Sequence, residues 1–351
     1  MAGWGGKGKF VSVDVGAGAG AKAGEGRGGE KEGESGSEGG AVGAAAWDPS
    51  FTHTFWHHPS PLRATMPLIP STLPSLTSSF ARSLGLSASE AETFTLRTQH
   101  VLPYLAAATT PALLLLLASR HCPIQLLGCV NTRNEFEVCV EPGKCLQLLR
   151  PPVRVDAKDG KGGRVIKGGG VEMEVRVMLE RDAVKRKRGW EYMVLVEVWE
   201  VGRGREERVV FREKCWFLEF AKHEGGAPGA VAGGGKEAEP DFGKAATETA
   251  PTTISFKTSD PWLWAKACKD YNAIHISSLA AKLFGLRAAC AHGNHVLARM
   301  LHAEQKVMRK CVVEFKRPVF LPAKLTIKTA EEGKKIGGFV GEKLAVLVSE
   351  L

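Results

Sequence analysis

An almost unbroken apolar run over residues 101–118, followed at once by segments that alternate polar and apolar residues, sets the tightest limit on what this chain can fold into. The run is borderline in length for a membrane span, and it carries Pro103, Pro111 and the pair Thr109-Thr110. Arg120-His121 close it and patterned strands follow, so it reads as a buried core helix and no membrane span is expected. Residues 132–140, 171–179, 191–201 and 208–217 alternate with a period of two, the mark of a sheet with one buried face. Val171, Met173, Val175 and Val177 fall together on one such face. Gly-rich turns at 159–163, 168–170 and 202–204 separate the runs.

The same plan then recurs. A helical region is expected over 278–306, followed by short strands at 312–315, 323–329, 338–340 and 344–348. Two successive units of helix and antiparallel meander point to duplicated architecture. The expected division is a disordered low-complexity region at 1–65, a first folded domain at 66–220, a Gly/Ala-rich linker at 221–250 and a second domain at 251–351. A helix is also expected near 87–95, with Ser87 or Ser89 as its cap and Glu90 and Glu92 in its first turn.

Composition narrows the setting. The chain has 351 residues, 44% of them hydrophobic, enough for about two domains with proper cores. Its net charge of +9 favours an acidic partner: nucleic acid, an anionic membrane, a phosphorylated cofactor or an acidic carrier protein. Eight cysteines without a CxxC pair read as scattered reduced thiols rather than a zinc site. The first 45 residues lack the apolar core of a secretory signal, and their glutamates argue against a simple transit peptide. Glu350 has the wrong charge for a peroxisomal tripeptide. A cytoplasmic setting is expected, with mitochondrion or peroxisome as alternatives.

The chemistry concentrates in residues 268–295. Asp270, Asn272 and His275 place an acid, an amide and an imidazole at a spacing that lets carboxylate and imidazole meet on one water, with Asn272 orienting them. Downstream, Ala291-His292-Gly293 opens a helix. Gly293 lets a ligand approach its N–H closely, at a helix end where partial positive charge collects. A carbonyl oxygen becoming enolate-like would be held well there.

These residues resemble the MaoC-like, R-specific enoyl-CoA hydratase (hydratase 2) family. That family's signature runs Gly-Asp-x-Asn-Pro-aliphatic-His, five residues, then Ala or Ser. This chain reads Lys269-Asp270-Tyr271-Asn272-Ala273-Ile274-His275, with Ala281 following. The resemblance puts the catalytic pair on Asp270 and His275, the orienting amide on Asn272 and the thioester-carbonyl amide on Gly293. Lys316-Arg317-Pro318, ahead of Phe320-Leu321-Pro322, resembles the family's strand after the central helix. It implies an α+β double hot-dog fold, two antiparallel sheets each wrapped around a long helix. The first hot dog would be degenerate and the second, MaoC-like one catalytic. It further implies reversible hydration of trans-2-enoyl thioesters to (3R)-3-hydroxyacyl thioesters in fatty acid metabolism. The substrate would be carried on coenzyme A or acyl carrier protein. No metal and no cofactor are expected, nucleic acid is not expected as a partner, and a homodimer is allowed. Two positions depart from the signature: Lys269 stands for glycine, and Ala273 for the proline that would fix φ.

Blander roles compete. His292 and His295 read as helix-start or packing residues. His53, His57 and His58 have a helix-face spacing but no acidic or Cys ligand nearby. Cys268 and Cys290 flank the site without a sign of an activated thiol. Lys282, Arg287, Lys316 and Arg317 are candidates for phosphate contacts. The rival functions are a hot-dog acyl thioesterase and a catalytically silent acyl-thioester binding or scaffold protein.

Overall fold

Two strand arrays of the same order, joined edge to edge, form the framework of the computed structural model. The structure describes residues 54–56, 62–68, 72–125, 129–150, 153–156, 164–167, 172–180, 183–202, 206–220, 242, 251–330 and 333–351. The first array runs β2 (Arg63–Leu68), β6 (Glu172–Leu179), β8 (Gly189–Val201), β9 (Arg208–Phe220), β3 (Cys129–Val138). The second runs β10 (Thr252–Phe256), β12 (Ala323–Ala330), β13 (Lys335–Val340), β14 (Lys343–Glu350), β11 (Lys310–Phe315). In chain order each array reads first, third, fourth, fifth, second strand. The arrays meet where β3 pairs antiparallel with β11, Lys310 opposite Glu137 and Glu314 opposite Arg133. The remaining strands are minor: β1 (Thr54–Trp56) on β2, β7 (Val184–Arg186) on β8, and a separate pair, β4 (Val153–Asp156) with β5 (Arg164–Lys167).

Each array wraps a helix inserted between its first and second strands. In the first half this is α3 (Val101–Leu117), packed on β2 and β6. By length and composition the segment Thr98–Leu117 is apolar enough to cross a membrane, yet 72% of its most apolar 18-residue window is buried inside the protein. Its polar groups are satisfied locally, since Thr109 and Thr110 donate back to Leu105 O and Ala106 O at 2.9 and 2.7 Å. In the second half the wrapped helix is α8 (Gly293–Ala303), packed on β10 and β14 and touching α3. One continuous core serves both halves, with Phe136, Val175, Val196 and Phe211 from the first and Leu297, Met300, Val313 and Val348 from the second. Burying a large apolar side chain of this kind is worth roughly 1.5–3 kcal/mol.

The period-two runs fold as strands with the expected inward faces: Met173, Val175, Val177 and Leu179 of β6 are all buried. The helix near 87–95 is α2 (Ala88–Thr93), following α1 (Leu73–Ser83). Ser87 caps it reciprocally: the Glu90 N–H donates to Ser87 Oγ, and Glu90 Oε2 accepts from the Ser87 N–H at 2.7 Å. A short helix, α4 (Pro142–Leu148), follows β3.

Three expectations need correction. Strand structure begins before residue 66, with β1 and β2, because Pro67 hides the alternation of Arg63–Leu68 at the sheet's margin. The helical region expected over 278–306 is two helices, α7 (Ser278–Leu283) and α8. Gly285 (φ 77°) ends the first, and residues 289–291 then lie against 319–321 through Ala291 N–H to Val319 O and Leu321 N–H to Ala289 O. Within 221–250, Phe242 is described: it is buried, its ring 5.3 Å from that of Phe339. Residues 1–53 and the histidines His53, His57 and His58 lie outside the described residues.

Candidate active site

The loop that carries the acid begins where α5 (Asp260–Cys268) stops. Asp260 locks that helix to α8, accepting from the Lys257 N–H at 2.9 Å and from Arg299 Nη1 at 3.0 Å. The chain leaves α5 through Lys269 in the left-handed region (φ 60°, ψ 14°), its N–H bonded to Ala265 O. This is the position where the signature carries glycine, and the reason is conformational: a side chain in that region costs roughly 1–2 kcal/mol. Lys269→Gly should therefore raise stability by about 1 kcal/mol, read as a Tm increase of roughly 2 °C. The exposed Lys269 ammonium donates to Lys266 O at 2.8 Å, away from Asp270, so the same variant should keep its turnover within about twofold. The second departure is equally easy to accommodate. Ala273 opens α6 (Ala273–Ile276) directly after the cap Asn272, whose ψ of 125° is what a following proline would demand.

Asp270 and Asn272 then fold the loop over themselves. Asp270 Oδ1 accepts from the Asn272 N–H at 3.1 Å, and Asn272 Oδ1 accepts from the Ile274 N–H at 3.3 Å. Asn272 thus shapes the turn through its backbone contacts. This fixes His275 one helical turn on. Its Nδ1 lies 2.8 Å from Cys290 O, and a carbonyl only accepts, so Nδ1 carries the proton and Nε2 is a bare lone pair. Burial pushes the imidazole below its ordinary pKa, against the upward pulls of Asp270 and the Cys290 carbonyl. A neutral base with a fixed tautomer results.

His292, expected from the sequence as a helix-start or packing residue, completes the arrangement. It is buried at the start of α8, its ring stacked on that of His275 at 3.8 Å between centroids. Its Nε2–H donates to Asp270 O at 3.1 Å. Burial, then His275 and His295, push its pKa well down, so it too is neutral. One small side chain therefore braces both members of the pair. Among Asp270, His275 and His292, one ligand-type atom from each lies within 4.8 Å of the others. Two hydrogen bonds of ordinary length meeting on one water span roughly that distance. The same trio has the composition of a metal site. His275 Nδ1–H and His292 Nε2–H are both committed to carbonyls, while His292 Nδ1 is buried without a hydrogen-bond partner.

Gly293 is the first residue of α8, so its N–H has no partner within the helix. A Cβ added there would lie 2.6 Å from Cε1 of Phe315, which explains the glycine by space. Of the proposed phosphate contacts, Arg287 is exposed with its guanidinium 4.5 Å over the Phe320 ring, beside the strand-like contact of Cys290 with Phe320. Lys316 is already paired with Glu314 at 2.6 Å, while Arg317 and Lys282 are exposed. Cys290 is buried and its thiol is pushed up to about 11, and burial raises Cys268 as well, so neither serves as a nucleophile.

Buried neutral histidines extend beyond the pair. His295 donates through Nε2 to Ser83 O at 2.8 Å, and burial holds it at about 3. His100 accepts from the Arg97 N–H, so its Nε2–H donates to His302 Nδ1 at 3.1 Å. Burial brings His100 to about 4 and lowers His302. In the unfolded chain such imidazoles take a proton near about 6.5. Their stability contribution is thus complete above that pH and lost progressively as pH falls toward the native values. We expect Tm to drop by roughly 10 °C between pH 7 and 5. A flat Tm across that window would contradict the neutral buried assignments.

Fold and site together define a double hot-dog protein with its acid–imidazole pair in the second hot dog. Residues 238–349 match the family described as MaoC like domain, so the second half carries a MaoC-like domain. No curated protein matches it by sequence. Among solved structures it is similar to HtdX of Mycobacterium tuberculosis (TM-score 0.53, 19% identity, covering 82% of this chain and 98% of that one). It is also similar to a MaoC-like dehydratase of Phytophthora capsici (TM-score 0.53, 12% identity, covering 82% and 93%). At these identities the likeness is one of fold.

Proposed function

We propose that the protein catalyses the reversible hydration of trans-2-enoyl thioesters to (3R)-3-hydroxyacyl thioesters, with coenzyme A or acyl carrier protein as the carrier. The observation that carries this reading is the approach of Asp270 and His275 to within one water's span, with His275 Nε2 left as the free base. In the hydration direction the pair holds a water and accepts a proton from it as its oxygen bonds to C3. Electron density moves through C2 to the thioester oxygen, where the Gly293 N–H and the α8 terminus stabilise it. The pair then returns a proton to C2, so one water is consumed and the pair is regenerated. The thioester itself acidifies C2, so the scheme calls for no metal or redox cofactor.

The silent-scaffold alternative rested on Lys269 and Ala273, and both sit in backbone conformations that leave the Asp270–His275 turn closed. The deciding experiment follows crotonyl-CoA and a longer enoyl-CoA spectrophotometrically. Loss of conjugated absorbance without free thiol supports hydration. Release of free thiol would establish a thioesterase instead, and binding without turnover a silent protein.

A further inference from the structure

Where the two halves meet, the first half sends a carboxyl into the core that the scheme above does not use. Glu213 points inward from β9 and is 2% exposed. Asn134 of β3 donates through Nδ2 to Glu213 Oε1 at 3.1 Å and to Asn294 Oδ1 at 3.0 Å. Asn294 Nδ2 in turn reaches Glu213 Oε1 at 3.5 Å. Asn294 is the second residue of α8, directly after Gly293. Thr109 of α3 and Cys215 of β9 also lie within reach of the carboxyl. Its neighbours Asn134, Asn294, Cys215 and Thr109 are all uncharged side chains.

We propose that Glu213 is a positioning residue of the hydration site, supplied by the non-catalytic half. Through Asn294 it holds the first turn of α8, and its ionisation weakens that turn's grip on the oxyanion at the Gly293 amide. The inference rests on the hydration reading. Its physics is direct. An ionised carboxylate at a helix N-terminus draws on the same partial positive charge that the developing oxyanion needs, and it repels that oxyanion through a low-dielectric medium. The uncharged carboxyl does neither. Burial places the change where it matters, pushing the Glu213 pKa up to about 7 against the hydrogen bonds of Cys215 and Asn294.

The test compares wild type with Glu213→Gln, which keeps the shape and cannot ionise. The ratio of variant to wild-type kcat should rise about tenfold between pH 6 and pH 8.5, because only the wild type loses rate as the carboxyl ionises. Asn134→Leu is the second variant: removing the Nδ2 donor to Glu213 Oε1 raises the carboxyl's pKa, so its alkaline decline should move to higher pH. A purely structural Glu213 would change kcat by one factor at every pH, and that result overturns the proposal. Should wild type turn over no enoyl thioester, the hydration reading itself fails. The enolate absorbance of bound acetoacetyl-CoA then decides the matter for Glu213 alone. More enolate on Glu213→Gln than on wild type above pH 7, but not at pH 6, supports it, and equal enolate throughout overturns it.

Discussion

Asp270→Asn should lower kcat for enoyl-thioester hydration by about 10³-fold while leaving Tm within about 1 °C of wild type. The two halves of this expectation come from different atoms. The loop is closed by Asp270 Oδ1 accepting the Asn272 N–H, and asparagine offers the same acceptor in the same place. The fold therefore keeps its turn, its His292 brace on the Asp270 carbonyl and its His275 anchor on Cys290. What disappears is the ability to take and return a proton. His275→Gln should cost a similar factor, and the double variant little more, because two groups acting on one water fail together. Near-normal turnover in Asp270→Asn would remove Asp270 from the chemistry and with it the hydration reading.

The residues legible in the sequence were those whose roles are local. Asp270, Asn272 and His275 lie within six positions, so one turn suffices to assemble them and their spacing announces it. Gly293 was visible as a helix start. His292 was read only as a helix-start or packing residue because its further contribution is tertiary: it stacks on His275, seventeen residues earlier in the chain, and such a contact leaves no periodic trace. Glu213 did leave one. In β9 the inward positions are Phe211, Glu213, Cys215 and Phe217, so a charged residue interrupts a buried face. An inward carboxyl in an otherwise apolar alternation is a signal worth reading as a site. The duplication also had a trace in the letters. Once topology equates α3 with α8, His100-Val101-Leu102 falls beside His295-Val296-Leu297. In that register Thr98 stands where the second half has Gly293, and Arg97 where it has His292.

Gly293→Ala is the second large effect, and its size depends on one ring. A methyl at residue 293 would sit 2.6, 2.7 and 2.9 Å from Cε1, Cζ and Cδ1 of Phe315, closer than real side chains come. Alanine keeps the N–H, so any loss of rate must come from displacement of the helix tip rather than from removal of the donor. We expect kcat to fall about 10²-fold, the scale on which a misplaced oxyanion donor is felt, and stability to fall by about 1–3 kcal/mol through overpacking. Phe315 lies on β11, the strand that pairs with β3 at the seam, so the ring rather than the strand is the part free to yield. Gly293→Ala combined with Phe315→Leu should then recover most of the lost rate and stability. Recovery of stability without rate would mean that the helix tip regains its place but its amide does not serve the thioester carbonyl. An unimpaired single variant would show that the ring swings aside at no cost and that neither Phe315 nor the substrate requires glycine at residue 293.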